Sequence, residues 1–314
     1  MREKEYMDRF PRLPDAFMVQ RLALPAGQND MVLDTDTFNE VDDQFALADC
    51  LLLPAQLRVE AVYAAPFHND RSEGPGDGMQ RSFDEIHRVL ERLRLAGTVP
   101  VLKGSDRFLG DSAAPIKSAA ALDLVERAMK RADKPLYVLA IGAPTNIASA
   151  LLLEPRIREK IVLVWLGGQP LSWPTAREFN LQQDPLASQI LFNSGVPMVF
   201  VPCTHVAEKL MTTLPEFREC LRGKSPISQY LYEIVEGYAK GNPDPTWTKV
   251  IWDVATVAWM RDPNLVPSEL VHAPILTDQL TYSFDQGRHF MRIATNMSRS
   301  GVLGDLYRRL NAVK

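Results

Sequence analysis

Cysteine is scarce in this chain. Its three cysteines, Cys50, Cys203 and Cys220, lie far apart and include no Cys-x-x-Cys pair. That pattern points to a reducing compartment and to thiols buried as small hydrophobes. Long apolar runs are missing as well. None approaches the roughly 20 residues that span a bilayer, so no membrane association is expected. Residues 1–12 are strongly charged, and the weakly apolar stretch from Ala16 to Leu24 is interrupted by Gln20 and Arg21, which does not read as a signal peptide. A cytoplasmic setting is the expectation. There is no basic block and no aromatic-basic stripe, which argues against nucleic acid as a partner. Internal repeats and low-complexity segments are also absent.

What is present suits a packed globular core. Hydrophobic residues make up 46% of the 314 residues and charged residues 24%, with a formal net charge of -4. Short apolar strands alternate with helical patterns. Met31-Val32-Leu33 reads as a buried strand ending in acids, and apolar positions from Val41 to Leu53 recur at helical spacing. Strands follow at Leu57–Ala64, Val99–Leu102, Leu136–Ile141, Ile161–Leu166 and Pro197–Val201. Helices are expected at about Ser82–Leu95, Ala119–Ala132, Asn146–Leu153, Pro185–Phe192 and Ile251–Met260, with a loop from Pro66 to Gly78. After about Thr204 the chain becomes mainly helical, with late strands such as Val271–Leu276. The alternation predicts an α/β fold: a mostly parallel open sheet with helices on both faces and a helical C-terminal part. No linker divides it, so residues 1–314 read as one domain with its core at about 30–310.

In such sheets ligands bind outside the carboxyl ends of the strands. The polar residues just after strands are therefore the candidates: Asp34 to Asp43, His68-Asn69, Ile141-Gly142 and Gly167 to Asn180. Asp34, Asp36, Asp42 and Asp43 fall within ten residues at a strand-to-helix turn. They repel one another unless protons or a cation intervene, and hard divalent cations take oxygen ligands of this kind. Helix capping would explain Asp42 and Asp43 but not Asp34 and Asp36 at the strand end. A strand followed by Asp-x-Asp also begins the haloacid-dehalogenase-type phosphatases. Those want Thr or Val two residues after the second Asp, where this chain has Phe38, and they have no place for Asp42-Asp43.

The stretch Leu33-Asp34-Thr35-Asp36-Thr37-Phe38-Asn39-Glu40-Val41-Asp42-Asp43 resembles the N-terminal Asp-x-Asp-Pro-Gly-x-Asp-Asp signature of the inosine–uridine-type nucleoside hydrolases, with two residues inserted and Pro-Gly missing. Four later stretches match in the right order: Ile141-Gly142-Ala143-Pro144-Thr145-Asn146, Leu166-Gly167-Gly168, Glu178-Phe179-Asn180 with Asp184-Pro185, and Trp252-Asp253-Val254-Ala255. The resemblance implies a Rossmann-like nucleoside hydrolase fold and hydrolysis of a ribonucleoside to ribose and free base. It implies Ca²⁺ held by Asp36, Asp43, Asp253 and the Ile141 carbonyl, with Asp36 as general base toward a Ca²⁺-bound water. Asp42 would hold the ribose 2′-hydroxyl, Glu178 and Asn180 the other hydroxyls, and Asp34 would support the turn. A homo-oligomer, dimer or tetramer, is implied as well. The chemistry is coherent, because carboxylates and a cation-activated water suit an oxocarbenium-like transition state, and several convergent acceptors orient a ribose.

The leaving-group side departs from the family. One branch has His before the late Asp as general acid; this chain has Trp252, as does a purine-preferring branch in which Trp stacks on the base. Purine nucleosides are therefore the first expectation, by cation–π logic toward a protonated purine, although Trp252 could equally be a core aromatic. His68 is the candidate proton donor and Asn69 a candidate substrate contact, both after the second strand. His87, His205, His272 and His289 read as structural. Ser172 stands where the family has a ribose-binding Asn. Two alternatives remain: a non-catalytic Ca²⁺-dependent riboside binder, and a hydrolase of an uncommon N-riboside. The inserted Asn39-Glu40 is the part of the acidic loop expected to reach the site and alter substrate choice.

Overall fold

A computed structural model describes residues 6–240, 244 and 246–314. In chain order the elements are α1 (Asp15–Arg21), β1 (Asn29–Thr35), α2 (Asp43–Leu51), β2 (Leu57–Ala64), α3 (Pro75–Arg92), β3 (Val101–Lys103), α4 (Ala119–Met129), β4 (Leu136–Ala140), α5 (Thr145–Leu153), β5 (Ile161–Leu166), α6 (Phe179–Gln183), α7 (Pro185–Asn193) and β6 (Met198–Val201). The second half adds β7 (Met211–Thr213), α8 (Leu214–Leu221), α9 (Pro226–Ala239), β8 (Thr248–Val250), α10 (Val254–Arg261), β9 (Ser268–His272), β10 (Ile275–Leu276), β11 (Tyr282–Ser283), β12 (Phe290–Ala294) and α11 (Arg299–Ala312).

The central sheet has eight strands in the order β3-β2-β1-β4-β5-β6-β12-β9. All its neighbours pair in parallel except β12 with β9, which is antiparallel at the edge. Both faces are covered. Met31 and Leu33 join one apolar cluster while Val32 joins the other, as the two-residue side-chain period of a strand requires. Leu139 and Val138 divide in the same way on β4. This is why the inner strands read as continuous apolar runs rather than alternating ones.

The chain runs outward from β1 through β2 to β3, then returns to the other side of β1 with β4. That reversal leaves a crevice at the carboxyl ends of β1 and β4, the place where ligands bind in open α/β sheets. The β1 turn (Asp36–Asp42) and the β4 turn (Ile141–Pro144) face each other across it.

Several local expectations are corrected. The glycine- and proline-rich stretch read as loop to Gly78 already turns helical at Pro75. Proline at the first position of a helix lacks only an N–H that would be unpaired there anyway. The strand expected over Val271–Leu276 is two strands, β9 and β10, parted at Ala273-Pro274, because proline cannot continue the ladder. The short α6 escapes periodicity altogether. The helix expected from Ile251 begins only at Val254, which leaves Trp252 and Asp253 in the turn before it.

Candidate active site

At the crevice lies a cavity of about 350 Å³. Asn39, Glu40 and Asp42 from the β1 turn, Asp43 at the start of α2, Asn69 after β2 and Ile141 after β4 contribute to its wall. So do Glu178 and Asn180, Cys203 and Thr204 after β6, and Trp252 and Asp253 before α10. The inserted Asn39-Glu40 does reach the site.

One carboxylate oxygen from each of Asp42, Asp43 and Asp253 lies within 4.8 Å of the other two, and all three side chains are buried. Asp36 is buried beside Asp43 and is not among the residues of the cavity wall, and among the described residues neither of its oxygens has a hydrogen-bond donor from another residue. A buried carboxylate without donors costs several kcal/mol unless it is protonated or meets a cation. Burial, then the neighbouring Asp43 and Asp42 charges, push the Asp36 carboxyl well above its usual range. Burial followed by Asp42 lifts Asp43 to about 7, although Asp43 accepts a 2.6 Å hydrogen bond from Thr35 Oγ1. Asp253 is raised by burial, then by Asp43, Asp42 and Asp36. An all-oxygen, anionic group in which Lys249 reaches Asp42, while Asp36, Asp43 and Asp253 have no ion-pair partner among the described residues, fits a hard divalent cation. The four carboxylates and the Ile141 carbonyl on the cavity wall are the available ligands.

Asp34 stands apart from this group. Its Oδ2 accepts from Asn146 Nδ2 at 2.8 Å, which ties β1 to the start of α5, while Oδ1 has no donor. Burial raises it to about 7.

Asp42, which the resemblance assigned to the ribose 2′-hydroxyl, has its carboxylate beside those of Asp43 and Asp253 and receives two donors. Lys249 Nζ stands 3.0 Å from Oδ1, and the Trp252 backbone N–H donates to Oδ2 at 3.0 Å. Glu178 is half-buried and caps α6: its oxygens accept from the backbone N–H groups of Gly168, Asn180 and Leu181. Burial nonetheless raises its pKa. Asn180 donates to the Ile141 and Leu166 carbonyls at 3.2 and 3.1 Å, so its amide nitrogen is engaged and its Oδ1 is the atom left for a ligand. Asn69 donates to Asn39 Oδ1 at 2.6 Å and accepts from the Arg71 N–H; it braces the inserted segment. Trp252 is half-buried, packing on the core while its other side meets the cavity.

His68 is not brought into the site. It is exposed and contributes only its backbone N–H, to Gln183 Oε1. The other histidines also lie off the cavity wall: His87 packs edge-on to Phe83, His205 on Trp173, and His272 stacks on Phe290. Sequence reasoning missed Lys249, Cys203 and Thr204. Only the rule that residues after strands line the crevice could have flagged Cys203 and Thr204. The Cys203 thiol lies against Glu178, and burial and that carboxylate push its pKa up.

Two close approaches keep the turns in place. A Cβ on Gly142 would lie 3.0 Å from Asp36 Cγ and 3.2 Å from Ala65 Cβ. Gly168 has φ +62° and leaves no room for a side chain beside Tyr282, Leu181 and Phe200, which explains the glycine pair after β5.

A doubly covered parallel sheet with buried acids under a cavity at its switch point defines an α/β enzyme with a carboxylate-centred pocket. The chain belongs to the inosine-uridine preferring nucleoside hydrolase family, whose sequence profile matches residues 31–303. It is 26% identical over 276 residues to the pyrimidine-specific ribonucleoside hydrolase RihA of Klebsiella pneumoniae (strain 342), covering 78% of this chain and 81% of that protein. RihA of Escherichia coli O127:H6 is 27% identical over 189 residues, 57% of this chain and 60% of that protein. Among solved structures, the plant nucleoside hydrolase PpNRh1 superposes with TM-score 0.72 at 20% identity, covering 90% of this chain and 99% of that chain. The purine-preferring ribonucleoside hydrolase from Gardnerella vaginalis gives TM-score 0.71 at 20% identity, with 91% and 99% covered. These structural likenesses carry the fold. The enzyme is thus a nucleoside hydrolase, cleaving the N-glycosidic bond of ribonucleosides. Among the described residues no helix is long and apolar enough to cross a membrane.

Proposed function

We propose that the enzyme hydrolyses ribonucleosides to ribose and free base with Ca²⁺ as its cation, held by Asp36, Asp43, Asp253 and the Ile141 carbonyl. The carrying observation is the pair of donorless Asp36 oxygens against Asp43 at the base of the cavity. A bound divalent cation supplies charge compensation for the acids and acidifies water in its reach.

The remaining work falls to the chain. Asp36 takes the proton of the attacking water as the C1′–N bond breaks and its electron pair leaves with the base. Asp42 receives the ribose 2′-hydroxyl on the lone pairs left free by Lys249 and Trp252. Asn180 Oδ1 and Glu178 hold further hydroxyls. The carboxylates around the ring lower the cost of the positive charge that develops there. Departure of the base is the step for which the cavity wall offers no histidine. Trp252 supports a purine base through stacking, and purine nucleosides are our first substrate class. A pyrimidine preference is the second reading, favoured by the names of the RihA relatives. We place the enzyme in the cytoplasm as a homo-oligomer, dimer or tetramer, and read residues 1–314 as one domain.

The test is a panel of inosine, guanosine, adenosine, uridine and cytidine with Ca²⁺ present, measuring released reducing sugar. Turnover with inosine or guanosine ahead of uridine supports the purine reading, and the reverse order supports the pyrimidine one. No turnover on any of them removes the common-nucleoside assignment and leaves a non-catalytic riboside binder or a hydrolase of an uncommon N-riboside.

A further inference from the structure

Lys249 sits in the middle of β8, opposite Thr212 of β7, and its side chain is buried. Its ammonium pairs with Glu40 and with Asp42. Both of those carboxylates line the cavity, whereas Lys249 itself lies behind the wall. Glu40 is held from two further sides: Tyr238 Oη donates to its Oε1 at 3.2 Å, and Arg71 Nη1 donates to its backbone carbonyl at 2.8 Å.

A buried lysine is costly to desolvate, so one placed only for stability would be a weak choice. Here it stands beside a cluster in which Asp43 and Asp253 already crowd Asp42. The geometry at Asp42 is specific. Lys249 approaches one oxygen and the Trp252 N–H the other, each at 3.0 Å. With one donor on each oxygen the carboxylate cannot rotate about its Cβ–Cγ bond without breaking a contact. Each oxygen still keeps a lone pair for another donor. Asp42 is therefore aimed into the cavity while remaining available to a hydroxyl.

We propose that Lys249 is a positioning residue that sets recognition of the sugar 2′-hydroxyl, by fixing the Asp42 carboxylate and by anchoring the inserted Asn39-Glu40 segment as one wall of the sugar pocket. This rests on the reading of Asp42 given under Proposed function. The same ammonium joins the residue that contacts the sugar to the residues inserted into the acidic loop. Sugar selection and the insertion are then one device.

The experiment compares kcat/KM for a ribonucleoside and its 2′-deoxy counterpart in the Ca²⁺-loaded wild type, Asp42→Ala and Lys249→Met. The wild type should prefer the ribonucleoside strongly, and Asp42→Ala should erase most of that preference. Lys249→Met should lower the ribonucleoside value by on the order of tenfold or more while changing the deoxynucleoside value by less than about threefold. Equal losses on both substrates in Lys249→Met, with Asp42→Ala still erasing the preference, would overturn the proposal and leave the Asp42 reading intact. A wild type without preference, or Asp42→Ala losing equally on both, overturns the Asp42 reading itself. If Lys249→Met does not fold, the charge-balanced Glu40→Gln/Lys249→Met variant carries the same comparison. Lys249→Arg, which keeps the cation, should retain the preference.

Discussion

Asp36 combines complete burial with two oxygens that no donor of another described residue reaches. A side chain kept for stability would not be left so. Asp36→Ala should therefore abolish turnover, with kcat down by on the order of a thousandfold or more. In chelator it should leave the melting temperature unchanged or raise it, since it removes an unsatisfied polar group worth about 1–3 kcal/mol. Retained activity, or a large loss of metal-free stability, would refute the assignment. Trp252 calls for a different readout because it touches both the core and the cavity. If it stacks on the base, Trp252→Ala should depress purine nucleosides about tenfold more than pyrimidine ones, in keeping with a stacking and cation–π contribution on the order of 1–2 kcal/mol. Equal losses across the panel would reduce it to a packing residue.

At the scale of elements, the turns after β1 and β4 depend on how closely they approach. Gly142→Ala would press a methyl group within 3.0 Å of Asp36 Cγ, with Ala65 closing the other side. The backbone or the carboxylate must shift. The expected cost is about 1–3 kcal/mol of stability, and activity should fall by more than that loss explains if the displaced group is the base, as proposed above. Thermal melts and kcat measured on one preparation decide it; unchanged activity would mean the turn relaxes away from Asp36. These elements were also the legible ones. β1, β4, β5 and β6 announced themselves as apolar runs because both their faces are covered, and β2 did so over its buried second half, Ala61 to Ala64. The acids after β1 stood out because four like charges in ten residues need a reason. What stayed hidden was non-local. Lys249 meets Asp42 across 207 positions of sequence, and a lone lysine in a three-residue strand carries no periodic signal. His68 failed for the converse reason: sitting after a strand brings a residue to the crevice rim, but side-chain direction decides whether it enters. Asn180 and Glu178 fell within the candidate stretch after β5, but their roles toward a sugar came only through the family resemblance. The hydrogen bonds that hold them in place are to backbone atoms of turns, which a sequence pattern does not encode.

Over the whole molecule, the acids link folding to pH and to the cation. Asp34 and Asp43 titrate at about 7 in the fold against an ordinary value of 3.8, and Asp36 and Asp253 are also raised, all through burial first. A carboxyl that keeps its proton to higher pH when folded favours folding at acid pH. That contribution is complete below about pH 4 and is lost as pH rises through about 7. The metal-free protein should therefore lose stability from this cluster between about pH 4 and pH 8, opposite in sign to a protein held by exposed ion pairs. A cation needs the deprotonated ligands and competes with those protons. Millimolar Ca²⁺ should then raise the melting temperature more at about pH 8 than at about pH 5, and Asp43→Asn should shrink that difference. Melts in chelator and in Ca²⁺ across this range test both halves together. A Ca²⁺ shift independent of pH, or larger in acid, would mean that the cation binds away from these carboxylates, and the catalytic assignment of Asp36 would fall with it.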